Sequence, residues 1–271
     1  MRARGKTGHG LSMAAFPQPR FSPAARWSRA LGAFSAMLFV VSALAHRFGL
    51  VETVPFLWLL GLSGGLAVFG LLLAVCGFVQ MWEHGLAGLK AAGAGLLLSA
   101  LVLSPFAVSA YRFAVHPPLT DISTDLERPP RLLRAAALRT APMNRIAPIG
   151  GEDAQLQALA YPALHGRRYE YAMETVVEAV EALVAARRWR RHAPVPRREG
   201  AADVTVEAVA RSFLLGFASD VAIRVEERDN ATYVDMRSVS RYGRHDLGDN
   251  AERIRRFLED LDRRIEALGD L

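Results

Sequence analysis

The chain has one cysteine, Cys76, in 271 residues. An intramolecular disulfide is therefore excluded, and any folded part must be held by its own core. Acidic residues are missing from the first 30 positions, where Arg2, Arg4, Lys6, Arg20, Arg26 and Arg29 all lie. Charge of either sign is missing from Phe56 to Gln80 and from Ala91 to Ala110. Metal-ligand spacing is missing as well: His116, His165, His192 and His245 are scattered, so neither a metal site nor another cofactor is expected. The nearest approach to a nucleophile beside a base is Ser238 or Ser240 with His245 and Asp246, and adjacent chain positions rarely assemble a triad. No catalytic residue is assigned, and enzymatic activity is not expected.

What the chain does have is three long apolar stretches, Leu31 to Ala45, Val54 to Met81 and Leu86 to Ala110. The second and third reach the roughly 20 residues that cross a hydrocarbon core. The first reaches that length when continued to Leu50, with His46 and Arg47 able to extend toward the headgroups. Gly61, Gly64, Gly65, Gly70, Gly93 and Gly95 allow these helices to approach closely. Residues 31–112 thus read as three membrane spans behind a basic tail, 1–30. That tail points the N-terminus to the cytoplasm, and three crossings carry the rest to the far side, the periplasm if the membrane is a bacterial inner membrane. Ala43-Leu44-Ala45 resembles a signal-peptidase site, and cleavage there would still leave the C-terminal part outside.

The net charge of +6 suggests nucleic acid, but its distribution argues otherwise. Six of the 33 basic residues lie in the tail, and the other 27 are matched by 27 acids. The expected partner is therefore membrane lipid, or another membrane protein, and not nucleic acid.

Past the spans, four prolines bracket the polar run His116 to Pro130, which reads as an ordered or semi-ordered extended linker. Arg131 to Gly151, rich in Ala, Arg and Pro without sustained periodicity, is expected to cover the folded unit or stay mobile, and 113–150 as a whole is expected to be an extended linker. A folded unit is expected over 151–271. Tyr169 to Arg188 carries Met173, Val176, Val177, Val180, Leu183 and Val184 at helical spacing. Trp189 to Val195 allows a short strand. Val204 to Arg211 alternates as a half-buried strand, Val221, Ile223 and Val225 mark a second, and Thr232, Val234 and Met236 a third, with Arg228-Asp229-Asn230 as the turn between the last two. Ile254, Phe257, Leu258, Leu261, Ile265 and Leu268 form the stripe of a final helix, with Asp249 and Glu252 spaced as a capping pair. The predicted fold is a three-helix transmembrane region followed by a small α+β domain: helix, three or four antiparallel strands, and a helix packed on one sheet face.

The segment RSVSRYGRHDLGDNAER, Arg237 to Arg253, together with DISTD at Asp121 to Asp125, resembles the bacterial and plastid family known as domain of unknown function 1499. The positions that carry the resemblance are Arg237, Ser238, Ser240, Arg241, Gly243, Asp246, Gly248, Asn250 and Arg253. It covers the chain from about His116 onward. The family has no agreed activity and often follows short membrane-spanning regions, so the resemblance implies a fold and a setting but no reaction.

Two candidate sites follow from the residues themselves. Arg237, Arg241 and Arg244, with Ser240 and Asp249, gather at a helix N-terminus that could hold a phosphate or carboxylate. The competing reading pairs the arginines with Asp235, Asp246 and Asp249 to fix a strand-to-helix corner. Phe213, Leu214 and Phe217 form an apolar loop that either dips into the bilayer, gates an apolar pocket or caps the core. The function expected first is binding of a lipid-like or other apolar anionic ligand without catalysis. A docking or assembly factor for a membrane complex comes second, and an envelope-modifying enzyme is a distant third.

Overall fold

The structure is a computed structural model that describes residues 20–194 and 202–269. Arg2, Arg4 and Lys6 of the basic tail, and Val195, lie outside the described residues. In chain order the elements are α1 (Pro23–Arg47), α2 (Thr53–His84), α3 (Leu89–Val115), β1 (Asp121–Ser123), α4 (Leu133–Ala137), α5 (Gly151–Ala160), β2 (Arg167–Tyr169), α6 (Met173–Ala186), β3 (Arg190–Arg191), β4 (Asp203–Arg211), β5 (Ala218–Arg228), β6 (Ala231–Ser240) and α7 (Asp249–Gly269). The chain divides into two compact units, one of residues up to 36 with 65–101, the other of 37–64 with 102 onward.

The first three helices are the expected spans. Their 25, 32 and 27 residues run well beyond the roughly 30 Å of a hydrocarbon core at about 1.5 Å per residue. All three are apolar enough to cross a bilayer, and the protein is a membrane protein. α1 begins eight residues before its apolar stretch, so Arg26 and Arg29 are helical and not part of a free tail. The reason is local: Ser22 Oγ accepts the Ala25 N–H at 3.2 Å, and Pro23 supplies the pre-set first helical position.

In the first unit the contacts run through small residues. Ser28 Oγ donates to Gly70 O at 2.8 Å, and a Cβ on Gly95 would collide with Ser28. Gly70 and Gly95 are therefore contact positions, as is Gly64 against Phe106 in the second unit, whereas Gly61, Gly65 and Gly93 face open space. Hydrophobic helices pack where backbones can touch, and glycine alone does not say which face that is.

The second unit contains the α+β domain, whose sheet runs β1-β6-β5-β4-β3, with β2 also pairing with β6. All pairings are antiparallel. Among the described residues the sheet has six strands where three or four were expected: β3 falls within the short strand expected over Trp189 to Val195, while β1 and β2 are three residues long and carry no alternation to read. β5 and β6 form a hairpin through Asp229 and Asn230, whose φ values of 53° and 58° are those of a tight turn that Asp and Asn tolerate. α6 starts at Met173, and Tyr169, expected within it, ends β2 instead.

α6 and α7 lie on one sheet face. Val176, Val180 and Val184 of α6 and Ile254, Phe257 and Leu261 of α7 close over Ile223 and Met236, all of them essentially inaccessible. Leu268, expected in the α7 stripe, is exposed near the helix end. The opposite face is covered too, by the Arg131 to Gly151 segment that was expected either to cover the folded unit or to stay mobile. Leu132 and Ala135 pack on Ala222 and Val239 there, with Ile146 alongside. The linker expected over 113–150 is thus in large part folded: it contributes β1 to the sheet edge and α4 to the second layer.

Candidate functional site

β6 ends in a turn that gives the corner its shape. Gly243 and Gly248 have φ values of 88° and 77°, and Leu247 sits at 56°, where a leucine is strained. Two hydrogen bonds hold it there: Leu247 N donates to His245 Nδ1 at 2.9 Å, and Gly248 N to Asp246 Oδ1 at 2.8 Å. Asp246 Oδ2 also accepts the Asn250 N–H at 3.0 Å, so Asp246 caps α7. Burial pushes its carboxyl above the ordinary range, the two backbone donors opposing. Asp249 pairs with Arg112 at 2.9 Å. Since His245 Nδ1 accepts, its Nε2 donates, reaching His116 O at 3.1 Å.

The polar residues that follow divide by sheet face. On the helix side, Asn250 Nδ2 donates to Thr120 O and to Ser240 Oγ, both at 3.0 Å, and Ser238 Oγ donates to Asn250 Oδ1 at 2.8 Å. Arg253 donates to Ser238 Oγ and Asn250 Oδ1, and burial lowers its hold on the proton, with Asp249 and Asp246 opposing. On the other side, Arg237 donates to both oxygens of Asp121, at 2.9 and 2.6 Å, and to Ala147 O. Burial raises the Asp121 carboxyl, and the Arg237 pair works against that rise. Asp220, fully buried, receives Arg241 at 2.7 Å and Arg139 at 2.8 Å, and His192 Nε2 lies 3.2 Å away.

The five residues expected to hold an anion are therefore not gathered around one opening. Arg237 and Arg241 bind acids on the outer sheet face, Ser240 belongs to the Asn250 network, Asp249 binds Arg112, and Arg244 is exposed. The arginines do pair with carboxylates, but those are Asp121 and Asp220, remote in sequence, and not Asp235, Asp246 and Asp249. Asp235 instead shares Arg224 with Asp125, at 2.9 and 2.8 Å.

DISTD acquires a role here. Asp121 neutralises Arg237, and Ser123 presents its backbone edge to Gln157, whose amide donates to Ser123 O at 2.6 Å and accepts from Ser123 N at 3.1 Å. Thr124 Oγ1 reaches Asp235 at 2.8 Å. Asp125 closes a turn through the N–H groups of Glu127 and Arg128. Burial opposes its ionisation, yet those hydrogen bonds and Arg224 hold its carboxyl below the ordinary value.

A cleft of about 600 Å³ opens beside this corner. The end of α3 supplies Arg112 and the segment after it His116; the 160–167 segment supplies Tyr161, Leu164, His165 and Arg167, and the first turns of α7 supply Glu252, Arg255 and Arg256. Phe213 of the β4–β5 loop closes one side. Tyr161 OH lies 3.4 Å from His116 Nδ1, and burial raises the phenol's pKa. Arg255 and Arg256 are more than half exposed and lean on Glu252, whereas Arg167 is tied to Asp262 at 2.8 Å. The walls are thus mixed, with four arginines and two histidines against Asp249 and Glu252 among apolar side chains. Periodicity could not find this cleft, because its residues come from four separated segments. The clearest available signal was basic Arg255 and Arg256 within two turns of an N-terminus. Among the described residues no group of three or more His, Cys, Asp or Glu is arranged to hold a metal ion.

The Phe213, Leu214 and Phe217 loop splits in two. Phe217 packs on His46 and Phe56 at ring distances of 5.3 and 5.7 Å, while Phe213 and Leu214 point outward.

These features define a membrane-anchored α+β domain with a densely paired polar corner. Residues 121–261, more than half of the chain, match the family described as protein of unknown function (DUF1499), and the chain belongs to that family. The match starts at the first residue of β1, so DISTD lies within the family domain. No curated protein matches the chain.

Proposed function

We propose that the domain is a non-catalytic binding module that takes an amphipathic anion, a phosphate or carboxylate head on an apolar body, into the cleft between α3, the 160–167 segment and α7. The observation that carries this reading is the lining: Arg112 and the largely exposed Arg255 and Arg256 line a ligand-sized cavity whose remaining wall includes Tyr161, Leu164, Phe213 and Leu258. Arg237 and Arg241, already paired with Asp121 and Asp220, serve the corner and not the ligand. The basic N-terminal residues supply the orientation, placing the domain outside the cytoplasm and, in a cell with two membranes, in the periplasm.

The test is mass spectrometry of organic extracts from the purified full chain, beside a Cys76-containing three-span control and an Arg255→Ala/Arg256→Ala variant. A defined anionic lipid that enriches with the protein and falls about tenfold in the variant supports the reading. A lipid profile identical to the control sinks it, and a membrane protein co-purifying in its place would move the assignment to a docking factor. For orientation, alkaline phosphatase fused after residue 271 should be active. A silent phosphatase fusion with an active cytoplasmic reporter would reverse the assignment.

A further inference from the structure

We propose that the β4–β5 loop, residues 212–217, is seated in the boundary between lipid headgroups and acyl chains, with Phe213 and Leu214 as the side chains that enter the bilayer. This goes beyond the binding reading, and because Phe213 also borders the cleft, a dye at this position separates bilayer from cleft.

The loop is built, not slack. Ser212 N donates to Phe217 O at 2.8 Å, Phe217 N to Ser212 Oγ at 3.0 Å, and Arg211 to Gly216 O at 3.1 Å. It is also fastened to the end of a membrane span. His46 Nδ1 lies 2.7 Å from Leu215 O, and Arg47 donates to the carbonyls of Ser212 and Phe213. Gly216 has a φ of +73°, and a Cβ there would come within 3.1 Å of Arg47 Cα, so glycine permits both the turn and the close approach.

A loop fixed this firmly would be expected to turn its largest apolar side chains inward. Instead Phe213 is 90% exposed and Leu214 58%. Other apolar side chains at span ends are exposed too: Phe48 and Leu50, in the turn between α1 and α2 that follows Arg47, are 74% and 80% exposed, and Trp58 in the second turn of α2 and Tyr111 in the last turns of α3 face outward. Arg47 and Arg211 bind the loop's carbonyls, and Arg112 shares a cleft wall with Phe213. Outward Trp and Tyr beside arginines are the composition of a membrane interface, where the ring body sits in apolar lipid and the cation meets phosphate. A protein partner would call for a separate apolar patch. This one is fastened to the end of α1, where Val41 and Leu44 of the span are themselves exposed, which commits it to the bilayer.

The experiment uses the full chain in vesicles of phosphatidylcholine and phosphatidylglycerol, with Cys76→Ala as background. An environment-sensitive dye is attached at Phe213→Cys, and at Leu159→Cys on α5 as an exposed control. Quenchers are a lipid spin-labelled near the top of its acyl chain and aqueous iodide. A blue-shifted 213 dye, quenched at least about threefold more by the lipid probe than the 159 dye and shielded from iodide, is the expected result. Equal, water-like behaviour of the two dyes overturns the proposal. So does a blue-shifted 213 dye that the lipid probe does not reach, which would put the loop over the cleft. Retention of the wild-type near-ultraviolet dichroism in Phe213→Cys establishes that the folded protein is being read.

Discussion

On β5, Val221, Ile223 and Val225 face α6 and α7, while Asp220, Ala222 and Arg224 face the segment that carries α4, so one strand serves two interiors of opposite character. The helix side is held by non-directional apolar burial, which tolerates compensating changes of similar volume. The other side is held by paired charges, Arg139 and Arg241 on Asp220, Arg237 on Asp121 and Arg224 on Asp125 and Asp235, around a small apolar patch. There each group depends on a particular partner, because removing one leaves a desolvated charge behind.

That contrast can be broken by substitution, with unfolding of the full chain in detergent followed by near-ultraviolet dichroism. Phe257→Ala should show the largest loss, about 3–5 kcal/mol, since the ring is fully buried and stacks on Trp189 at 5.4 Å. Asp220→Ala should cost about 3 kcal/mol, and adding Arg139→Met should recover part of it, because the second change removes a buried charge that the first orphaned. Simple additivity of the two would mean that the outer face is not a coupled network.

Smaller effects sharpen the comparison. Gly248→Ala should cost about 2 kcal/mol, as the new methyl meets both a φ of +77° and the His116 ring. Gln157→Ala should cost about 1–2 kcal/mol by leaving the outer edge of Ser123 without its amide partner. Asp125→Asn should show the smallest effect and a pH signature. Because the folded protein holds the Asp125 carboxyl below its unfolded value of 3.8, its stabilising contribution is present above that value and disappears as pH falls through the folded one. The melting gap between wild type and variant should therefore be open at neutral pH and close in acid. A gap unchanged down to the acid limit would assign Asp125 a role that does not depend on its charge.

The two sides also differed in how far they could be read beforehand. Helix-face residues repeat with period 2 along β4, β5 and β6 and with period 3.6 along α6 and α7, and nearly every position so marked is buried. Two of the outer-face pairs, Asp121 with Arg237 and Asp125 with Arg224, join residues about 100 positions apart, and no local pattern links them. Prolines around DISTD point to an extended, ordered or semi-ordered linker, and they do bound the segment, but its pairing with the edge of β6 has no local signal. The arginine cluster near the chain's end looked like an anion site because its neighbours in sequence were visible and its partners in space were not. The cleft was hidden for the same reason.

What the sequence by itself determined is whatever depends on local composition and period: three membrane helices, the β5–β6 hairpin, the two amphipathic helices and the family resemblance of the C-terminal domain. Only the tertiary structure decided which acids neutralise Arg237 and Arg241, that β1 closes the sheet edge, that Phe213 and Leu214 face outward beside a span end, and where a cavity remains. Burial follows from a pattern repeated along one element, whereas a charge pair or a cavity depends on where separate elements meet, and that information is distributed over the whole chain.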